Sequence, residues 1–599
     1  MLRRTIWAGI AVLMVVVSVL AACTPTTTET GGSTTTVTGK VTPSDTPIEQ
    51  KPPPPLTPSI SDEPQYGGTI SFAIGQTGGF DPANVLNFWP GALLSYETLV
   101  SEDWTKGPSG SNVTPLASNY TPPEFYVGWL AESWQVLDLQ NITFTLRKGI
   151  RWMSKPPVNG RELVADDVVF TMNRNKANPQ HSTYDAKQPP EKQTKIVAID
   201  KYTVQITVAD ANPYILLLGW INNQIVPKEA VALPGGLTDW RNMNTTGPFY
   251  VSDVVPDSSV TFTKNQGYWA SDPFRPNNKL PYADKLKGLV ILDQATQLSA
   301  LRTGKIDRLG LTKEQATSMI RTNPELKYRR LPPSLTNILH MRTDLKDGPF
   351  ANVKVRQALS MSIDRQSIIK DYYLSDAEIL NWPFQTTAGP GLYTPLDQLP
   401  QNLKDIYTYN PTRAKQLLAE AGYPGGFKTT INLLANYAGG VELYSIVKSY
   451  FDAIGVDTTI TVLEAGAYWS VLVGHTYKDM TVSAWGNSHP NGGIAANTAG
   501  YLYNYSIVND EFVEKERIEV NKIVDVDERN ARLKKLGQYL IEQVYYVELP
   551  SPYGYAFWQP WLKGQNGEVQ HGAANNWYGF AKFAWIDKDL KQSITGRSE

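Results

Sequence analysis

The sequence predicts a mixed α/β protein with more than one lobe, and three observations lead there. The chain has 599 residues, too many for a single ordinary core. Several stretches alternate apolar and polar side chains with the period of a strand, and others repeat apolar residues with the period of a helix between recognisable caps. In chain order, Ile142, Phe144 and Leu146 alternate with Thr143 and Thr145, which reads as a half-buried strand. Tyr202, Val204, Ile206 and Val208 alternate with Thr203, Gln205 and Thr207 and read as a second. Val355, Ala358, Leu359, Ser362 and Ile363 form a helical stripe, with Arg356, Gln357 and Arg365 expected away from it. Asn410-Pro411 opens, and Gly422-Tyr423-Pro424 closes, a segment in which Ala414, Leu417, Leu418 and Ala421 recur at helical spacing. Proline at the first turn and glycine just past the last is the expected polarity of helix ends. No period repeats along the chain, so a solenoid or propeller is not supported.

The first residues carry an address. Arg3 and Arg4 precede an apolar run from Ile6 to Leu20 and then small residues, the pattern of a secretory signal. Leu20-Ala21-Ala22-Cys23 resembles a bacterial lipobox, which implies cleavage before Cys23 and attachment of lipid to its sulfur; Cys23 is the one cysteine of the chain. Loss of Arg3 and Arg4 takes the net charge from -2 to -4, so the lipid, not a polybasic patch, is expected to hold the chain at a membrane. Residues 24–64 are rich in Thr and Pro and poor in large apolar groups, too poor to offset the entropy of ordering. They read as a tether, spanning roughly 35 Å as a coil.

Composition excludes several functions. With 55 basic against 57 acidic residues and no basic stripe, nucleic acid is not an expected partner. One cysteine excludes disulfide frameworks and cysteine-rich metal sites. Charged residues make up 19% and hydrophobic ones 41%, which argues against a multi-pass membrane protein. The histidines at 181, 340, 475, 489 and 571 show no paired spacing, and there is no Gly-x-Ser-x-Gly elbow, so no catalyst, metal or cofactor is expected. Asp525-Val526-Asp527-Glu528 lacks the glycine and terminal glutamate of a calcium loop and reads as a solvated helix face. The 16 Trp and 31 Tyr are the unusual feature: in a cleft they would wall a ligand, and elsewhere they are core.

A series of local phrases, in order along the mature chain, carries a resemblance. They run from Gly67-Gly68-Thr69-Ile70 and Phe80-Asp81-Pro82-Ala83 through Leu130-Ala131-Glu132-Ser133-Trp134 and Phe144-Thr145-Leu146-Arg147-Lys148-Gly149. Ala165-Asp166-Asp167-Val168, Thr246-Gly247-Pro248-Phe249, Pro281-Tyr282-Ala283-Asp284, Gly304-Lys305-Ile306-Asp307, Val353 to Arg365 and Leu417 to Pro424 follow. Together they resemble the extracellular solute-binding proteins of family 5, which include peptide-binding components of ABC importers. The resemblance implies an α/β, bilobed clamshell of the periplasmic-binding-protein type with an extra domain in lobe one. Lobe one would comprise residues 66–108, 240–335 and 555–599, the extra domain 109–239, and lobe two 336–554. It also implies a binding protein rather than an enzyme, monomeric, partnered by a permease and its ATPase subunits. Most of the phrases read as structural: Gly247-Pro248 suits a turn into a strand, and Asp166-Asp167 a helix N-terminus, although Val164 and Ala165 leave no side chain to cap it.

The ligand residues implied by position are Asn87, Phe88 and Trp89 after the Asp81-Pro82 phrase, Trp382, Tyr468 with Trp469, and Trp485, Asn487 and Ser488. In peptide-binding members an aspartate stands three residues after the equivalent of Trp485 and pairs with the peptide's α-amino group; here that place is Ser488. A buried ammonium beside a hydroxyl lacks the charge that would offset its desolvation. Unless another carboxylate substitutes, the ligand is expected to be neutral at that end or not a peptide; the resemblance keeps a peptide or peptide-sized solute as the first expectation, and an oligosaccharide is the second, since tryptophan faces suit sugars. A glycan-acting enzyme, with Glu464 near Trp469, is a third.

Overall fold

The computed structural model describes residues 62–597, apart from 85–90, 115–116, 119–121, 180, 182, 220–222, 334, 382, 387–390, 436–439, 487–488, 569 and 572–574. Cys23 and the tether up to residue 61 lie outside the described residues. Among the described residues no helix is long and apolar enough to cross a membrane.

The chain makes its first strand, β1 (Thr69–Ile74), then leaves to build a four-stranded antiparallel sheet from β2 (Ala131–Val136), β3 (Asn141–Leu146), β4 (Lys195–Ala198) and β5 (Thr203–Thr207). It returns through β6 (Phe249–Val255), β7 (Ser259–Lys264), β8 (Lys285–Val290), β9 (Arg308–Leu311) and β10 (Lys327–Leu331). It then crosses into β11 (Thr336–Met341), β12 (Phe427–Leu434), β13 (Val456–Leu463), β14 (Met480–Trp485) and β15 (Tyr546–Leu549), and crosses back for β16 (Gly554–Trp558). The seven-stranded sheet has the order β10-β16-β9-β1-β8-β7-β6 and the five-stranded sheet β13-β12-β14-β11-β15. The two strands expected from alternation are β3 and β5, which pair in the middle of the four-stranded sheet, Ile142 opposite Ile206 and Phe144 opposite Val204. Their apolar faces lie in one core with helix α1 (Ala165–Ala177).

Helix α1 begins at Val164 with no side-chain cap, as the sequence implies; instead the Asp167 carboxylate turns back to accept from Val164 N (3.1 Å) and from Arg161. In the five-stranded body, helix α2 (Val353–Met361) buries Val355, Ala358 and Leu359. Here one expectation fails. Arg356 and Arg365 are buried, not turned to solvent, because each guanidinium meets a set of main-chain carbonyls. Arg356 donates to the carbonyls of Phe350, Ala351, Gln543 and Val544, and Arg365 to those of Ser360 and Glu548 and to Ser360 Oγ, at 2.7–3.1 Å. Helix α3 (Pro411–Glu420) forms as its caps predict, with Asn410 Oδ1 accepting from Arg413 N (2.9 Å) and Gly422 taking a positive φ of 93°. Gly247 fits a tight passage into β6: a Cβ there would come within 2.0 Å of Ser95 O, which only glycine avoids.

The register fixes where a ligand can approach. Strands β12 and β13, and β12 and β14, are parallel, whereas β11 runs antiparallel to both β14 and β15. Thr336, the start of β11, therefore pairs with Trp485, the end of β14, and Asn337 with Leu549, the end of β15. Both crossings thus leave the five-stranded sheet at the carboxyl edge of its parallel strands. In the seven-stranded sheet β1 is parallel to β8 and β9, and the crossings leave where Leu331 pairs with Gly554, again at the carboxyl edge. The two sheets turn the same kind of edge toward one seam, and in open α/β sheets that edge is where ligands bind.

Candidate ligand-binding seam

On the five-stranded side the seam is built around the end of β14. Trp485 is half-buried; its ring lies 5.6 Å from that of Tyr503 and 5.7 Å from that of Tyr505, and Tyr501 continues the series at 5.8 Å from Tyr503. Gln385 is buried beneath this corner. Its Nε2 donates to Thr336 Oγ1 (2.6 Å) and to Trp485 O (2.5 Å), tying the first residue of β11 to the last of β14, while its Oε1 has no hydrogen-bond partner. Beyond Trp485 the chain enters helix α4 (Pro490–Ala495), capped by His489, whose Nδ1 accepts from Gly492 N (3.1 Å). That bond leaves the proton on Nε2, and burial lowers the pKa of the ring to about 4, so it is neutral at physiological pH.

The opposite side supplies Tyr214, a buried residue of the four-stranded body. Its ring packs 5.4 Å from that of His489 and 5.6 Å from the guanidinium of Arg529, in the first turns of helix α5 (Val526–Gln543). Its hydroxyl hydrogen-bonds to Arg529, and burial raises its pKa to about 12. Near β1, Asp81 is clamped by the Arg174 guanidinium of α1, and Asn178 Nδ2 donates to Ala83 O (2.6 Å).

One chain crossing is braced at the seam's edge. Asp376 accepts from Arg330 Nε (2.9 Å) and from the hydroxyl of Tyr555 (2.8 Å), its carbonyl accepts from Tyr553 N (3.0 Å), and Ala377 pairs with Pro552. Arg330 also lies against the Tyr553 ring.

The residues expected from sequence fall into three groups. Asn87, Phe88, Trp89, Trp382, Asn487 and Ser488 lie outside the described residues. Trp485 stands at the seam. Tyr468 is a core residue, 2% exposed, with its hydroxyl donating to Val482 O inside the five-stranded body, and its neighbour Trp469 is 48% exposed. Asp525 has a local task, capping α5 by accepting from Glu528 N (2.8 Å). Sequence reading missed Tyr214, Gln385, Arg529 and the tyrosine row. Only the row left a signal, the alternation Tyr501-x-Tyr503-x-Tyr505.

A second polar cluster lies deep in the seven-stranded body. Glu97 accepts four hydrogen bonds, from Trp129 Nε1 (2.7 Å), Tyr268 Oη (2.8 Å), Thr246 Oγ1 (3.0 Å) and Trp269 Nε1 (3.1 Å). Burial raises its pKa, against the pull of Lys582 and of these donors. The Lys582 ammonium lies 4.0 Å from the Trp129 ring centroid, and burial lowers its pKa to about 8, against the pull of Glu97. The adjoining cavity, lined also by Gln224 and Thr98, holds about 50 Å³, room for water but not for a peptide.

Two edge-to-edge sheets joined by two crossings, with aromatic and hydrogen-bonding groups at the seam, define a bilobed binding protein. Residues 126–505 match the family described as bacterial extracellular solute-binding proteins, family 5 Middle, and the chain belongs to it. It is 26% identical over 463 residues to heme-binding protein A of Haemophilus influenzae, covering 73% of this chain and 80% of that protein. It is 26% identical over 361 residues to the dipeptide-binding protein of Escherichia coli, covering 57% of this chain and 64% of that protein. Among solved structures, the ABC transporter-associated periplasmic binding protein DppA from Helicobacter pylori, in complex with the peptide STSA, superposes with a TM-score of 0.69 at 24% identity over 88% of this chain and 99% of that one. The fold is the bilobed clamshell of that family, and the relatives are binding proteins, not enzymes.

Proposed function

We propose that this chain captures a peptide or peptide-sized solute by closing its two lobes on it and delivers it to the permease of an ABC importer. The observation that carries the reading is the seam itself: both chain crossings run between the carboxyl edges of the five- and seven-stranded sheets, with Trp485, Tyr503 and His489 on the five-stranded side and Tyr214 meeting His489 from the four-stranded body, in a member of a solute-binding family. A solute held there touches both halves only when they are closed, so its binding energy favours the closed form. A permease can then read occupancy as shape, and no bond is made or broken in the solute. The second reading, an oligosaccharide receptor, draws support from Ser488 in the place of the amine-binding aspartate.

Native mass spectrometry of the chain purified from a bacterial host tests the function: one equivalent of retained peptide supports it, retained glycan supports the second reading, and product accumulating beyond one equivalent contradicts both. The proposed anchor is lipid on Cys23. Replacing Cys23→Ala is expected to move the chain from the membrane fraction to the soluble extracytoplasmic fraction, and unchanged membrane association would refute the lipid.

A further inference from the structure

We propose that Arg529, with Tyr214 and His489 around it, is a subsite for a carboxylate of the bound solute. The inference rests on reading the seam as the solute site and names a chemical class for part of that solute.

The argument starts from how the molecule treats its other buried arginines. Arg356 and Arg365 are 3% and 1% exposed, and every guanidinium nitrogen of each donates to at least one acceptor, at 2.7–3.1 Å. Arg529 is 8% exposed, yet its main-chain contacts are two long ones, Nη1 to Ile523 O (3.3 Å) and Val524 O (3.4 Å). Its Nε is buried with no hydrogen-bond partner. No carboxylate among the described residues forms an ion pair with it, although the arginine next along the same helix, Arg532, pairs with Glu516 (2.9 Å). A buried guanidinium with a donor left unmet is costly, and where the acceptor comes from outside, a planar fork of donors suits a carboxylate.

Two further groups fit an anion rather than a cation. Tyr214 reaches Arg529 from the opposite body with a hydroxyl, which can accept from the guanidinium and donate to a carboxylate. His489, with Nδ1 occupied by Gly492 N, has only an Nε2–H to offer, which is a donor. Because Tyr214 lies on one body and Arg529 and His489 on the other, an anion among them would bind most tightly when the bodies are closed.

The test uses the full chain incubated with four pools at equal concentration: a tripeptide library, the same library as C-terminal amides, a neutral trisaccharide, and a trisaccharide of uronic acids. Bound species are read by native mass spectrometry. The expected result is retention of the carboxylate form of a scaffold over its neutral counterpart by about 10- to 100-fold, the range of charge-assisted hydrogen bonds. Arg529→Gln should abolish that preference and Arg529→Lys should keep part of it. Equal retention of acid and amide peptides would overturn the subsite while the peptide reading stands. Arg529-dependent retention of the uronate alone would support the subsite while the peptide reading falls. Retention of no anionic member, or an acid preference that survives Arg529→Gln, would overturn the subsite. Thermal melting without solute supplies an independent readout. Arg529→Gln should melt no lower than the parent, whereas a fall as large as that of Arg365→Gln would assign Arg529 a structural role and overturn the proposal.

Discussion

Glu97 and Arg529 are both ions buried by the fold, and the molecule treats them in opposite ways. Glu97 is surrounded by four donors drawn from separate segments of the chain, and a lysine lies close by. Everything it needs is supplied from within, so it ties Trp129, Tyr268 and Trp269, which share one core, to each other. Arg529 and Gln385, at the seam, are left with polar atoms that nothing within bonds. A buried polar atom without a partner costs about 1–3 kcal/mol, and such a cost is tolerable where a partner arrives from outside. Unpartnered buried atoms occur beside Glu97 too, on Gln224 and Tyr96, so the contrast lies in the ions themselves: the Glu97 carboxylate is met by four donors, whereas the Arg529 guanidinium keeps one donor unmet.

The sharpest way to break the comparison is to remove Glu97. Glu97→Ala strands four donors and leaves Lys582 buried without its countercharge, so urea unfolding should show a loss of about 3–5 kcal/mol. A loss below about 1 kcal/mol, no more than one ordinary hydrogen bond, would deny Glu97 its structural role. At the seam the order reverses: Trp485→Ala should weaken solute binding by about 1–3 kcal/mol, measured by titration calorimetry, with the smaller share of its effect on stability. Unchanged affinity with a large loss of stability would return Trp485 to the core. The smallest effect concerns pH. Lys582 has a folded pKa lowered from 10.5 to about 8, so between those values the unfolded chain holds more protons than the folded one. Stability contributed at this site therefore rises with pH across that window and is lowest below it. The parent's urea midpoint should climb relative to that of Lys582→Met between pH 8 and 10.5; parallel curves would contradict the burial of the charged ammonium.

How much of this the sequence discloses depends on distance along the chain. Strands β3 and β5 and helix α3 are legible because alternation, proline and glycine act locally, and the same holds for the missing cap at Val164. The sheet orders are not legible from periodicity, since β1 and β16 meet in one sheet from opposite ends of the chain. Arg356 and Arg365 mislead because charge usually marks a solvated face, and the carbonyls that satisfy them come from the loop before α2 and, for both, from the segment after α5. Trp485 is named only through its place in the family resemblance, and the structure sets it at the end of β14. Tyr214 and Arg529 could not be named, because neither has a distinctive neighbourhood and their meaning arises only where the two bodies meet. Tyr468 shows the converse error: an aromatic pair in sequence divides between core and surface when a helix turns one ring inward and the next outward.

The central claim is that two halves close on a guest. Small-angle X-ray scattering of the chain stripped of solute by mild denaturation and refolding, then recorded with and without the solute recovered from it, tests this most directly. The account predicts a smaller radius of gyration and a shorter maximum dimension when the solute is returned at one equivalent. Identical profiles in the two states, with binding confirmed in the same samples, would contradict it.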